Sequence, residues 1–238
     1  MVDLNCDLGE GGLEDEKLMP YLTSCNISCG GHAGSEPDIT AAIQAAAQHR
    51  VKIGAHPSYP DRENYGRKVL TISKSELQSS LISQLDYFKS LLQQEKAKLH
   101  HVKPHGALYN HAAKDKETAQ CVVNAVREVF PEAIIYTLKD SELEKAANTH
   151  GLKTWNEGFA DRNYTDDLEL VGRQLPYAVL TDTTKISPHV SAMIRDKNII
   201  TISGKAVPTE VQTLCIHGDN PNALEIAKLL RLNFPEFK

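Results

Sequence analysis

The alternation of apolar and polar residues changes period again and again along this chain. β-prone runs of four to seven residues alternate with longer stretches whose apolar residues recur every three or four positions. The spacing predicts strands over Val2–Leu8, Ser24–Cys29, Lys52–Ala55, His100–Lys103, Ala133–Leu138, Lys153–Phe159, Ala178–Thr181, Ile199–Ile202 and Val211–His217. Helices are expected over about Glu36–His49, from Ser73 onward, and over Asp115–Val129, Ser141–Thr149 and Asn222–Leu232. Pro37 suits a first helical turn, and Ser73 with Glu76 has the spacing of a capping box. Leu77, Leu81, Leu85, Phe88 and Leu92 then trace one helical face.

Strands alternating with helices imply parallel βαβ units. Ser203-Gly204-Lys205 breaks the pattern and reads as a hairpin turn. The expected fold is therefore α/β: a distorted (β/α) barrel of about seven parallel strands with an antiparallel insertion, one domain spanning 1–238. A doubly wound open sheet is the alternative, because counting strands does not close a barrel.

Six of the β-prone runs end in polar residues beside glycine or proline, the place where parallel barrels assemble their active sites. Asp3, Asn5 and Asp7 alternate on one strand face, with Glu10 just beyond. Such a face suits a polar pocket better than a solvated edge strand. His32, His56, His105 and His217 each follow a strand, and imidazole serves as acid, base or neutral metal ligand near pH 7. Three histidines and a carboxylate would suit a divalent metal. Lys103 stands two residues before His105 as a point charge for a carboxylate or phosphate. Arg67 and Arg162, the latter beside Asp161, offer planar recognition of an anion. Gly30, Gly31 and Gly34 around His32 could form a backbone anion nest. His49, His100, His101, His111, His150 and His189 read as packing or surface residues.

Composition narrows the class. With 238 residues, 41% hydrophobic and 24% charged, the chain is an ordinary globular protein. A net charge of −5 gives no reason to expect nucleic acid or an anionic membrane. The five cysteines lack the spacing of a zinc knuckle and read as reduced thiols, only Cys25 and Cys29 standing close. An acidic N-terminus where a signal peptide would be basic points to the cytoplasm. No Gly-x-x-x-x-Gly-Lys-Ser/Thr is present, so this is no P-loop protein, and the lack of a Gly-x-Ser-x-Gly elbow disfavours a serine hydrolase.

Together, Asp3–Glu10, Ser24–Gly34, Ile53–Arg67, His101–Asn110, Glu157–Tyr164 and Leu214–Pro221 resemble the lactam-utilisation family, the A subunits of bacterial ATP-dependent 5-oxoprolinase, in order and spacing. Two departures stand out. Ser35 replaces an aspartate usual in the family, and the chain reads Asp166-Asp167-Leu168-Glu169 where the family tends to Asp-Gly. The resemblance implies a barrel similar to the carbohydrate-deacetylase superfamily. It also implies opening of 5-oxo-L-proline to L-glutamate, with ATP and Mg as co-substrate of a complex containing subunits B and C. On that basis Asp7 or Asp3 would position or deprotonate water, and His32, His56 and His105 would form an acid/base cluster or hold a metal. Lys103 and Arg162 would neutralise the substrate carboxylate or a phosphorylated intermediate. Asn5 and His217 would orient substrate, with Arg67 and Asp161 in the binding set and Asp219 behind them. The other readings are a metal-dependent deacetylase or amidohydrolase acting without ATP, and a non-catalytic small-molecule-binding subunit.

Overall fold

The structure, a computed structural model, describes residues 2–12 and 14–237. In chain order the elements are β1 (Asp3–Leu8), α1 (Asp15–Leu18), β2 (Ser24–Ser28), α2 (Glu36–His49), β3 (Lys52–His56), α3 (Lys74–Gln94), β4 (Leu99–Val102), α4 (Gly106–Lys114), α5 (Lys116–Val129), β5 (Ile134–Thr137), α6 (Glu142–Thr149), β6 (Thr154–Phe159), α7 (Thr183–Ile194), β7 (Asn198–Ile200), β8 (Ala206–Pro208), β9 (Thr213–Ile216) and α8 (Ala223–Asn233). Strands β1 to β6 and β9 form a closed, wholly parallel barrel in which β9 pairs with both β6 and β1. This is the expected seven-stranded barrel, and closure excludes the open sheet. The expected hairpin is β7–β8, antiparallel and outside the barrel.

Local chemistry explains the helix starts. The Ser73 hydroxyl accepts from Glu76 N while the Glu76 carboxylate accepts from Ser73 N, the predicted capping box. Ser35 makes the same box with Asp38, so the serine that departs from the family pattern starts α2. Leu77, Leu81, Leu85, Phe88 and Leu92 are buried on one face of α3. One expectation fails. Residues 178–181 form no strand, and Val179 makes only an isolated bridge to Arg162. Helix α7 follows instead, started by Asp182, whose carboxylate accepts from Thr184 N. Its internal Pro188 and β-branched residues hide a helix from propensity.

Alternation along each strand divides two environments. Leu4, Cys6 and Leu8 face outward into the apolar layer under the helices. Asp3, Asn5 and Asp7 face the lumen, which is polar and hydrogen-bonded along its length. At the N-terminal end Asp3 accepts from Thr23, Ser24, Thr213 and Tyr136. Asp3 therefore sits at the far end of the lumen from the strand C-termini. In the middle layer Asn5 donates to Glu157 and Thr213, and Asn26 donates to Asn5. His101, expected at the surface or in packing, is fully buried there. Its Nε2 lies 2.6 Å from Asn26 Oδ1, and its ring stacks on Tyr136 at 3.8 Å. Burial, then neighbouring positive charge, holds this imidazole well below its ordinary pKa.

Gly54 makes room for that ring, since a Cβ on Gly54 would overlap the His101 imidazole. We expect Gly54→Ala to destabilise the fold by about 1–3 kcal/mol through overpacking, read as a lowered urea midpoint at unchanged m-value.

Candidate active site

A cavity of about 370 Å³ opens at the C-terminal ends of the barrel strands, a size suited to a small-molecule ligand. Asp7 from β1, His56 from β3, Lys103 and His105 after β4, and His217 after β9 all line it. Residues from opposite ends of the chain thus share one hollow, as the strand-end motifs required.

Lys103 is the buried centre. Its ammonium lies 3.0 Å from Asp7 Oδ1, 3.0 Å from Glu157 Oε1 and 3.1 Å from Cys215 Sγ. Burial opposes its charge, but the Asp7 carboxylate, Cys215 and Glu157 outweigh that and raise its pKa well above the ordinary value. Asp7 also accepts from Asn26 and lies 3.5 Å from His56 Nε2. Burial would push its carboxyl up, yet the His56 ring and Lys103 hold it well below the usual carboxylate range.

Hydrogen bonding fixes the protons on two of the imidazoles. His56 Nδ1 donates to Lys103 O at 2.7 Å, and His105 Nε2 donates to Tyr65 O at 3.0 Å. Carbonyls only accept, so both outer nitrogens carry hydrogen. The inner nitrogens, His105 Nδ1 and His56 Nε2, face each other at 2.9 Å. Burial and then the His56 charge hold His105 well below its ordinary pKa, and His56 Nε2 faces Asp7 at 3.5 Å. Tyr65 presents its carbonyl by adopting a left-handed conformation, φ 57°, that non-glycine residues rarely take. Gly66 after it, also at positive φ, packs so tightly that a Cβ would press on His32 and His105.

His32 stacks flat on His105 at 3.7 Å and lies 2.9 Å from Glu10 Oε1. Burial and the His56 charge lower it to about 3. It does not reach the cavity wall; Glu10 does, and burial raises the Glu10 carboxyl. Across the cavity, His217 Nδ1 donates to Asp161 Oδ1 at 2.8 Å, and its ring stacks on Phe159. At the rim, Arg67 and Arg173 both donate to Asp219 Oδ2, at 2.6 and 2.8 Å.

Several sequence expectations need correction. Asp3 is no partner of the cavity, being bound at the opposite end of the lumen. Asn5 orients Asn26 and Glu157 one layer below any ligand. Asp161 lies beneath His217 and is fully buried, so it touches no ligand directly. Arg162 reaches the cavity wall, but its guanidinium donates to the carbonyls of Ala178 and Val171 and pins the loop after β6. Lys103 neutralises the protein's own carboxylates. The Gly30 and Gly34 carbonyls accept from Arg62, an arrangement opposite to an anion nest. Glu157 and Arg173 were missed: Glu157 shares a strand face with Phe159, which was a usable signal, whereas no pattern marks Arg173 in its loop.

Asp7, His56 and His105 converge, as do Glu10, His32 and His105, and either set brings its donor atoms within reach of one metal ion. Lys103 already pairs with Asp7, and the His56 and His105 nitrogens lie 2.9 Å apart. Cys25 and Cys29 are buried separately, each thiol turned to a different backbone carbonyl, with burial pushing both thiols up. Among the described residues no helix is long and apolar enough to cross a membrane.

Known proteins match both the sequence and this fold. The chain is 40% identical over 233 residues to the A subunit of 5-oxoprolinase from Geobacillus thermodenitrificans (strain NG80-2), covering 96% of this chain and 91% of that one. It is 41% identical over 233 residues to the A subunit of 5-oxoprolinase from Geobacillus kaustophilus (strain HTA426), at the same coverage. The crystal structure of the lactam utilization protein from Thermus thermophilus superposes with a TM-score of 0.92 at 34% identity, over 99% of this chain and 96% of that one. The LamB/YcsF family matches residues 2–236, and the chain belongs to that family.

Proposed function

We propose that this chain is the ring-opening component, the A subunit, of an ATP-dependent 5-oxoprolinase. It acts with subunits B and C on 5-oxo-L-proline to give L-glutamate, with ATP and Mg as co-substrate of the complex. One observation carries the reading: a small-molecule cavity gathers Asp7, His56, His105 and His217 beneath two rim arginines. The relatives named as A subunits of 5-oxoprolinase support it.

The chemistry sets two demands. A five-membered lactam is a stabilised amide, so its carbonyl carbon must receive activated water and its nitrogen must leave protonated. Phosphorylation of the amide oxygen at the expense of ATP makes the carbon a better electrophile. The His56–His105 pair is placed to protonate the nitrogen. Asp7 faces His56, and Lys103 keeps Asp7 ionised. The substrate carboxylate takes the position of the Asp219 carboxylate between Arg67 and Arg173, where the same two guanidinium groups meet it.

The primary test is 5-oxoproline-dependent ATP hydrolysis and glutamate release, measured for the chain alone and with candidate B and C proteins. Turnover in the complete mixture is expected; a folded, complete mixture that opens no lactam rejects the reading. In the active complex, His105→Ala should lower kcat by about 10²–10⁴-fold, and full turnover would remove the acid from the scheme. Arg67→Ala and Arg173→Ala should each raise KM for 5-oxoproline about tenfold with kcat much less affected, the signature of lost ground-state binding.

The buried neutral histidines also set a pH dependence. The folded pKa of His32, about 3, lies below the unfolded value of 6.5. The unfolded chain therefore binds the extra proton first, and stability falls as pH drops from about 6.5 toward 3. The slope is about 1.4 kcal/mol per pH unit for each excluded proton. His105 and His101 act in the same direction. Urea unfolding at pH 7.5 and 5.5 should show the loss, and His32→Asn should flatten it; equal stability at the two pH values would contradict the buried neutral rings.

A further inference from the structure

Building on the ring-opening reading, we infer that His217, held by Asp161, is the general base that takes the proton from the attacking water, while the His56–His105 pair on the other side of Asp7 acts only as the acid.

Proton and lone-pair placement at His217 distinguish it from the other rings. Asp161 is fully buried and accepts three bonds: from His217 Nδ1 at 2.8 Å, from His217 N at 3.2 Å and from Asn220 Nδ2 at 3.0 Å. All three groups are donors, so the carboxylate acts as acceptor throughout, and it fixes hydrogen on His217 Nδ1. The lone pair is left on Nε2. Among the described residues no hydrogen bond reaches that nitrogen, and the side chain, 14% exposed, lines the cavity. The Phe159 ring, 5.4 Å away and tilted by 16°, and the backbone bond to Asp161 hold the imidazole in one plane. A ring nitrogen of His217 lies within 4.8 Å of an Asp7 oxygen, so base and acid flank the same carboxylate.

Other bases are already engaged. Asp7 accepts from Lys103 and Asn26 and faces His56. His56 Nδ1 and His105 Nε2 donate to backbone carbonyls, and their other nitrogens are turned to each other at 2.9 Å. His32 is shut behind His105. Glu10 lies beside His32 and His105, on the acid side of the cavity.

In the ring-opening step the water oxygen bonds to the ring carbon of the O-phosphorylated lactam, and a water proton passes to His217 Nε2. The carbon–nitrogen bond breaks, its electron pair goes to nitrogen, and the nitrogen leaves as an amine after taking two protons, one from the adduct's hydroxyl and one from the His56–His105 side. The acyl phosphate so formed is hydrolysed by a second water to glutamate and phosphate. His217 then carries one extra proton and the acid side one fewer, a difference that solvent exchange restores after product leaves. Asp161 acts through His217 and is a positioning residue.

The test uses two readouts. The ¹⁵N–¹H correlation spectrum of the free chain at neutral pH should show His217 as the Nδ1–H tautomer with Nε2 unprotonated; an Nε2–H tautomer overturns the inference. This measurement needs no substrate, so it decides the dyad even where the complex proves inactive and the ring-opening reading fails. In the active complex, His217→Asn keeps a donor toward Asp161 while removing the base. It should lower kcat by about 10²–10⁴-fold with KM for 5-oxoproline within about threefold, and undiminished kcat overturns the assignment. Asp161→Asn should shift His217 toward the Nε2–H tautomer and lower kcat in parallel; an unchanged tautomer removes Asp161 as the positioning group.

Discussion

The buried ammonium of Lys103 between Asp7 and Glu157 is the contact on which the site rests. A lone carboxylate in this lumen would be strongly penalised by desolvation. Lys103 holds two of them. The cavity floor therefore contains separated charges that are held by direct pairing. Electrostatic catalysis needs that combination, with fixed charges in a water-poor site whose arrangement is already made before substrate arrives.

The lumen below follows from the same constraint. A polar barrel interior holds together only where donors and acceptors meet. Asp3 takes four side-chain donors, and Asn5 and Asn26 pass hydrogen bonds between strands. The Asp-x-Asn-x-Asp run is thus one polar column with three jobs: anchoring the barrel end, bridging its middle and shaping the cavity floor. His101 and Tyr136 fill the remaining width by stacking, over a strand thinned to glycine at Gly54.

Around the mouth, loops carry the remaining function. The loop after β3 supplies Arg67 and the Tyr65 carbonyl that orients His105. The loop after β6 supplies Arg173 and is pinned by Arg162, while the segment after β9 supplies His217 and Asp219. Asp219 joins all three through its two arginines, so the rim is tied together by the kind of anion that the cavity is proposed to receive.

Strand periodicity, the parallel order, the hairpin at 203–205, the capping serine at 73 and the six strand-end motifs were all legible in the sequence, because each depends on chemistry within a few residues. Such a pattern tells which face of a strand a residue occupies. It does not tell how deep along the barrel axis that residue lies, which depends on how seven strands are staggered on closure. Asp3 and Asp7 looked equivalent for that reason, although they sit at opposite ends of the lumen. Burial and partner choice are also nonlocal: Arg162 is consumed by carbonyls of Ala178 and Val171, Asp161 lies under His217, and His32 lies behind His105. The sequence by itself determined which elements form and which residue types reach the mouth. Only the tertiary structure decided which of them face the cavity and which nitrogens carry protons, since both are set by neighbours far away along the chain.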